Sequence, residues 1–545
     1  MSGASARALM QKANERTAVY FAVSISGLVV IIATMHLANG ILMNSNLKSR
    51  GVVAENFVKK ARLVRSALLC KVPLFSSLGH ALVFTVYIVI NIILLLQNLD
   101  LSMSRNWAKR MGWITTCNIA LITFLALKNT PLAFLTAYSY ERLNILHQAA
   151  GYCTVLFAML HAVLFIVTDA KLGSLSNLLE LAQIMGMVAG FAMLSILTTA
   201  LILRGIRYEA FYIVHIVMFM LVIIAVGMHR SEFQTKSIYI IIFSACIWGS
   251  DRLLRGFRIV LRAFGNRANV YPLPRGGVRI VMRRTPWRAV PGAHVFLWIP
   301  KVRAIETHPF TIVSTNPLQI VISSRDGFTR DLFSLASKSP GALLRASCDG
   351  PYGTLPNFAR FDHVVLVAGG SGATFTIGVA LDLIHKLSSN AAKPVIHFIW
   401  VIRDDEMKEW FEKELIELSF SPLVKLRIYV TRALGARTSV NEQQTVEKAA
   451  AKETSSEKSK VDSDPEKASG SCSPTTREST LPSMLGRPDI SAVIRSVAGA
   501  TEEHDRSIVA ACGPDSLMSE TRSVVADLVE NSGRSITLHC EQFGW

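Results

Sequence analysis

The sequence predicts a multi-domain membrane protein: an all-α bundle of about seven transmembrane helices, then an antiparallel β-barrel, then an α/β domain. Three observations predict it. Apolar runs long enough to cross a bilayer recur through the first half and stop near residue 260. From about 269 the pattern changes to short alternating strands with turns. From 361, strands alternate with helices, which indicates a parallel sheet. At 545 residues and 51% hydrophobic, the chain is too long for one domain and too apolar for a soluble one.

The spans are expected at roughly 18–43, 77–97, 111–136, 144–168, 179–203, 208–229 and 237–256. Lys128, Asn129 and Pro131 interrupt the third. The first run is too long for an ordinary cleaved signal and reads as a retained helix. The net charge is +18, but its placement argues against nucleic acid as a partner. Lys48, Arg50, Lys59, Lys60, Arg62 and Arg65 crowd between the first two spans, and Arg252, Arg255, Arg258 and Arg262 follow the last. This positive-inside pattern puts both segments in the cytoplasm and, with seven spans, the N-terminus outside. The loop 98–110, with Arg105, Lys109 and Arg110 on the outer side, breaks the pattern. The eight cysteines include no C-x-x-C pair, so neither a disulfide framework nor a structural zinc site is expected.

Four histidines lie inside apolar helices as two matched pairs, His147 with His161 and His215 with His229, each pair 14 residues apart. At about 100° per residue, that spacing returns within roughly 40° of the same helix face, and at about 1.5 Å rise it separates the two rings by roughly 21 Å. Two such helices side by side offer one His–His pair at each of two depths, which suits two stacked haems with two axial imidazoles each. Ionisable residues within a bilayer are costly, which favours this reading over simple interhelical hydrogen bonding.

In the second half, VRIVMRR, GAHVFLWIP, HPFTIVST and LQIVISS read as strands of the barrel. DHVVLVAGGSGATFTIGVALDLIHKL reads as strand, glycine turn and helix. Residues 436–482 are charged, Ser-rich and nearly free of large apolar groups, and are expected to be a disordered insertion. SIVAACGPDSLM resumes the sheet and ITLHCEQFGW ends as a strand. The expected organisation is 1–75, an extra helix and basic loop; 76–260, the haem domain; 265–356, the barrel; and 360–545, the α/β domain with its insertion.

Gly369, Gly370, Ser371 and Gly372 follow a strand and precede a helix, where backbone N–H groups can approach a pyrophosphate. Cys512, Gly513 and Pro514 follow a later strand and are expected at the same carboxyl edge of the sheet, where ligands bind in open α/β folds. HPFTIVS (His308 to Ser314) and GFTRDL resemble flavin-binding segments of the ferredoxin–NADP reductase superfamily.

The ordered set of two histidine helices, HPFTIVS, GFTRDL, GPYG, AGGSGATFT, WVIR, ACGP and EQFGW resembles the fungal-type ferric reductases, within the superfamily that includes NADPH oxidases. The resemblance covers about 75–435 and 482–545 and implies a ferredoxin–NADP reductase-like cytosolic module: an FAD barrel and an NADPH domain. It implies that His308, Pro309, Phe310 and Thr311 bind FAD, with Thr329 and Arg330 at its phosphates. Gly369, Gly370, Ser371, Gly372, Arg403, Cys512 and Gly513 are implied to bind NADPH, and His147, His161, His215 and His229 to ligate two b-type haems. Trp545, resembling an aromatic that covers the flavin ring, and Cys512 are the implied catalytic residues. Ala373 and Gly378 depart from the family pattern, where Ile or Val and, nearby, Pro are frequent.

The activity implied is transfer of electrons from cytosolic NADPH to ferric chelates outside, siderophore-bound or other, with cupric chelates a further candidate. An NADPH oxidase making superoxide is the alternative. The short segment RSEFQTKS (Arg230 to Ser237) favours the reductase, because it leaves the outer haem edge open to a bulky chelate. A membrane protein without enzymatic activity is the third and weakest reading. The resemblance also implies lipid surroundings, the plasma membrane as location and an iron-uptake partner such as a multicopper oxidase with its permease.

Overall fold

The computed structural model describes residues 3–44, 77–99, 103–136, 140–230, 236–387, 394–432, 481–500, 505–531 and 535–541, with 64, 67, 68, 72 and 75. The expected insertion, apart from 481 and 482, lies outside these residues, as do Lys48, Arg50, Lys59, Lys60, Arg62, Arg65, Trp545 and most of the 230–237 segment.

The membrane part comprises α1 (Gly3–Asn44), α2 (Leu78–Leu96), α3 (Ser104–Leu125), the short α4 (Pro131–Thr136), α5 (Tyr140–Lys171), α6 (Leu181–Ile206), α7 (Tyr208–His229) and α8 (Ser237–Ala263). Six of the described helices are long and apolar enough to cross a membrane; α3 is not among them. Its place explains why. Arg110, Met111, Trp113, Ile114, Thr115, Thr116, Cys117, Asn118 and Ile119 are all buried, so α3 is solvated by protein rather than lipid. Asn118 is paired inside: Tyr87 donates to Asn118 Oδ1 (2.7 Å), and Asn118 donates to Asn91 Oδ1 (2.8 Å).

Two expectations are corrected here. Arg105, Lys109 and Arg110 lie on the first turns of α3, not in a loop. Arg110 is fully buried and donates to Asn14 Oδ1 (2.6 Å) and to the carbonyls of Leu94 and Gln97 (both 2.8 Å). A guanidinium with carbonyl partners inside protein meets the backbone accounting that lipid would not. The third span also ends earlier than expected, at Leu125 rather than 136, and a turn carrying Lys128 and Asn129 separates it from α4.

The antiparallel sheet contains β1 (Arg267–Leu273), β2 (Gly277–Met282), β3 (His294–Trp298), β4 (His308–Thr315) and β5 (Leu318–Ser323). Helix α9 (Phe328–Lys338) then precedes β6 (Ala342–Arg345) and β7 (Ser347–Tyr352). Strand order is β6-β1-β2-β5-β4-β3-β7. Alternate residues such as Val278, Ile280 and Met282 point into one core with Phe328 and Leu332 of α9.

The α/β part runs β8 (His363–Gly369), α10 (Ala373–Leu387), β9 (Val395–Ile402), α11 (Glu412–Phe420), β10 (Val424–Val430), β11 (Met484–Leu485), α12 (Ile490–Gly499), β12 (Arg506–Cys512), α13 (Asp515–Asn531) and β13 (Ser535–Glu541). The order β11-β10-β9-β8-β12-β13 puts β8 between β9 and β12, all parallel. The chain leaves β8 toward one edge and returns by β12 on its other side, which opens a crevice at the carboxyl ends.

Candidate functional site

Helices α5 and α7 bring the four histidines together as expected. The rings of His147 and His215 lie 6.3 Å apart, centroid to centroid, and those of His161 and His229 lie 6.2 Å apart. Helix α5 packs along α3 and α7 along α6, and the paired rings face each other across the space between. Ile119, Val155, Ala158, Ala192, Met193, Val222 and Ile241 form an apolar cluster whose Val155, Ala158 and Val222 fall between the two histidine levels in sequence.

This geometry fits iron–porphyrin. An iron about 2 Å from each of two opposed imidazole nitrogens sets the ring centroids roughly 6 Å apart. Three of the rings are oriented from behind: Nδ1 donates to a backbone carbonyl at Ile122 (2.9 Å, His147), Ala108 (2.7 Å, His161) and Ala182 (2.6 Å, His229). A carbonyl only accepts, so the proton sits on Nδ1 and the Nε2 lone pair is left for a metal. The fourth, His215, has a buried Nδ1 without a hydrogen-bond partner among the described residues, and its ring lies 5.4 Å from that of Phe211.

Two further residues build the outer level and escaped the sequence reading. A Cβ on Gly186 would stand 2.8 Å from His229 Nδ1, and one on Gly112 would stand 3.1 Å from His161 Nδ1. The missing side chains are the seats of the two rings. The available signal was a glycine inside a helix, which costs about 1 kcal/mol against alanine and calls for a compensating close approach.

The flavin-type segments meet beneath the inner pair. His308 opens β4 and its ring stacks on Phe328 of α9 (4.4 Å, 19°), with Phe310 6.1 Å from the same ring. Thr311 is buried and pairs with His294, while Pro309 pairs with Phe296. Gly327 has a φ of +64°, and a side chain there would run into Glu209. Glu209, in the first turn of α7, accepts the N–H of Phe328 (3.2 Å), a carboxylate at the positive end of α9. Glu209, Glu306 and His308 converge within 4.8 Å, and burial lowers His308 from the ordinary histidine value against the pull of Glu306. The Thr329 hydroxyl accepts from the Arg325 N–H (2.8 Å), and Arg330 is exposed. An anion bound at this helix end therefore relies on Thr329 and Arg330 or displaces Glu209.

At the crevice of the α/β sheet, the turns after β8 and β12 interlock. Added Cβ atoms on Gly369 and Gly513 would stand 2.6 Å from Pro514 Cδ and 2.8 Å from Leu517 Cδ2, and one on Gly372 would overlap the Cys512 carbonyl. Gly370 takes a φ of +55°, and its carbonyl accepts from Trp400 Nε1 (2.9 Å). Ser371 sits in this turn, at the start of α10. Arg403 follows β9 and is exposed, two residues past Val401, which pairs with Gly369. Cys512 is buried, and burial, with Glu541 and Cys540 adding, holds its thiol protonated well above the usual range. Its side chain packs into the apolar core beneath the crevice, with Phe375, Ala510 and Trp400 in the same cluster. Glu541 pairs with Cys512 at the end of β13, and Trp545 lies outside the described residues. The departure at Gly378 has a packing reason: a Cβ there would stand 2.9 Å from the Ile312 carbonyl of β4.

Three family models match in succession: "Ferric reductase like transmembrane component" over 111–226, "FAD-binding domain" over 264–355 and "Ferric reductase NAD binding domain" over 361–526. Among curated proteins, the probable cell surface ferric reductase kap2 of Aspergillus oryzae is 30% identical, over 56% of this chain and 45% of its own length. Ferric reductase transmembrane component 4 of Saccharomyces cerevisiae is 27% identical, over 80% of this chain and 63% of its own. The chain thus spans about half to two thirds of the length of these relatives. Among solved structures, the flavohemoglobin of Malassezia yamatoensis aligns at a TM-score of 0.36 and 15% identity, covering 81% of this chain and 98% of that one. The three matches fall in order on the helical bundle, the antiparallel sheet and the α/β sheet, and this chain belongs to the fungal-type ferric reductase family.

Proposed function

We propose that this chain is an NADPH-dependent metalloreductase of the plasma membrane, taking electrons on the cytosolic face and delivering them to ferric chelates outside, with FAD and two b-type haems as resident cofactors. When bound, these cofactors supply the redox chemistry, the flavin accepting two electrons as hydride and haem iron one at a time. The chain's part is placement. One observation carries the reading: Glu209, bonded to the flavin helix, lies on the same α7 as His215, six residues or about 9 Å along the axis below it. The candidate flavin strand therefore stands directly under the inner histidine pair, and the outer pair continues the line on the same two helices.

In this reading His147 and His215 hold the inner haem, and His161 and His229 the outer. His308, Pro309, Phe310, Thr311, Thr329 and Arg330 hold FAD. The glycine turns, with Ser371, Cys512 and Arg403, hold NADPH, Arg403 gripping the 2′-phosphate. Trp545 covers the flavin ring until nicotinamide displaces it. The deciding experiment is NADPH oxidation by purified, haem-loaded protein with ferric chelate and oxygen as competing acceptors. Ferric reduction that persists in air supports the metalloreductase; superoxide in its place supports an oxidase.

A further inference from the structure

Arg255, Arg258 and Arg262 lie on the last turns of α8 and do more than mark topology. In the structure they form a socket. Asp349 of β7 is fully buried, and its carboxylate is held from three sides. Arg255 Nε lies 2.9 Å from Oδ2, Arg258 Nε lies 3.0 Å from Oδ1, and the Tyr352 hydroxyl donates to Oδ2 (2.6 Å). Both arginines belong to the cytosolic end of α8. The same helix grips the strand's backbone: Arg262 donates to the carbonyls of Cys348 (3.1 Å) and Gly350 (2.8 Å), and Ser347 donates to the Ile259 carbonyl (2.7 Å). Arg258 also donates to Asn129 Oδ1 (2.7 Å), and Asn129 donates to Asp251 Oδ1 (2.7 Å). Lys128 and Arg255 sit over the Phe296 ring at 4.6 and 5.0 Å. The polar turn that interrupts the third span is thus the second wall of the socket.

We propose that Asp349, pinned between Arg255 and Arg258, is a positioning residue that fixes the flavin sheet against the membrane bundle and so sets the separation between the flavin strand and the inner histidine pair. This rests on the electron-transfer reading above. The pin has the properties of a register device. A buried charge pair adds little net stability compared with apolar packing, but it is intolerant of a missing partner or a shifted geometry. Phe296, held under both cations, is on β3 and pairs with Pro309 of the flavin strand, so the socket bears on β4 through one strand. Electron transfer between separated cofactors weakens steeply with distance, so a shift of β4 away from the inner histidine pair slows that step and leaves the hydride step alone.

The test uses the full-length protein loaded with FAD and haem, comparing Asp349→Asn, Arg258→Gln and Arg258→Lys by stopped flow. Arg258 is partly exposed, so Arg258→Gln keeps the test alive where Asp349→Asn fails to fold. In Asp349→Asn and Arg258→Gln, NADPH should bleach the flavin at close to the intact rate, while haem reduction slows severalfold or more. Arg258→Lys, which keeps the charge, should recover most of the haem rate. If both steps slow together in Arg258→Gln, or neither slows, the positioning role is overturned. If the intact protein bleaches its flavin but never reduces haem, the electron-transfer reading fails and the proposal with it.

Discussion

The two histidine pairs are built from the same helices with the same spacing, yet they are not equivalent. At the outer level both rings are held from behind by a carbonyl, His161 by Ala108 and His229 by Ala182, and both rest against a glycine. At the inner level only His147 has a carbonyl behind it; His215 has a buried Nδ1 with no hydrogen-bond partner among the described residues and an aromatic neighbour, Phe211. The outer rings are locked by the bundle alone. The inner ring on α7 sits about one and two-thirds turns above Glu209, which is bonded to the start of α9, and lacks such a carbonyl.

The two levels separate most directly when a ligand is removed. His161→Ala or His229→Ala should abolish one of two b-type haems and leave the other, counted by pyridine haemochrome against protein. Loss of both, or of none, would show that the pairs are not independent sites.

Next in size is the glycine seat. Gly186→Ala should lower outer-haem affinity by roughly 10- to 100-fold, the usual effect of disturbing the groups behind a metal ligand. Gly112→Ala should do less, because its added carbon meets the ring at 3.1 rather than 2.8 Å. Redox-resolved haem spectra would report both, and an unchanged outer haem in Gly186→Ala would remove the distinction between the levels.

A subtler test titrates haem into apoprotein. The outer level should fill first, because its imidazoles are already oriented. Equal filling of the two levels would show that backbone carbonyls do not decide occupancy.

The smallest effect on the pairs is expected from the far end of the molecule. Arg403→Ala and deletion of Trp545 should leave both haem spectra unchanged. Arg403→Ala should erode the preference for NADPH over NADH by roughly ten- to a hundredfold, the worth of a charge-assisted hydrogen bond. Steady-state kinetics with both nucleotides would check it; an unchanged preference would remove Arg403 from the 2′-phosphate site.

Much of this architecture is legible in the sequence, because it rests on local periodicity. Apolar length marked the spans, the 14-residue spacing marked the histidine face, and the order HPFT, GFTR, GGSG marked the two sheets of the second half. Where the reading slipped, at Arg110 and at the end of the third span, the cause was a helix solvated by protein. A hydropathy pattern assumes that the surroundings of a span are lipid, and α3 is buried inside the bundle.

The candidate motifs and their order along the chain are readable from the sequence alone, since spacing along a helix and a glycine turn after a strand are properties of neighbouring residues. Only the tertiary structure decided which ring faces which, that Gly112 and Gly186 seat the outer pair, and that Asp349 locks into Arg255 and Arg258. Those contacts join residues from 43 to 94 positions apart, as with Gly186 and His229 or Asp349 and Arg255. Their energy depends on burial and distance across the packed core, and no local periodicity records either.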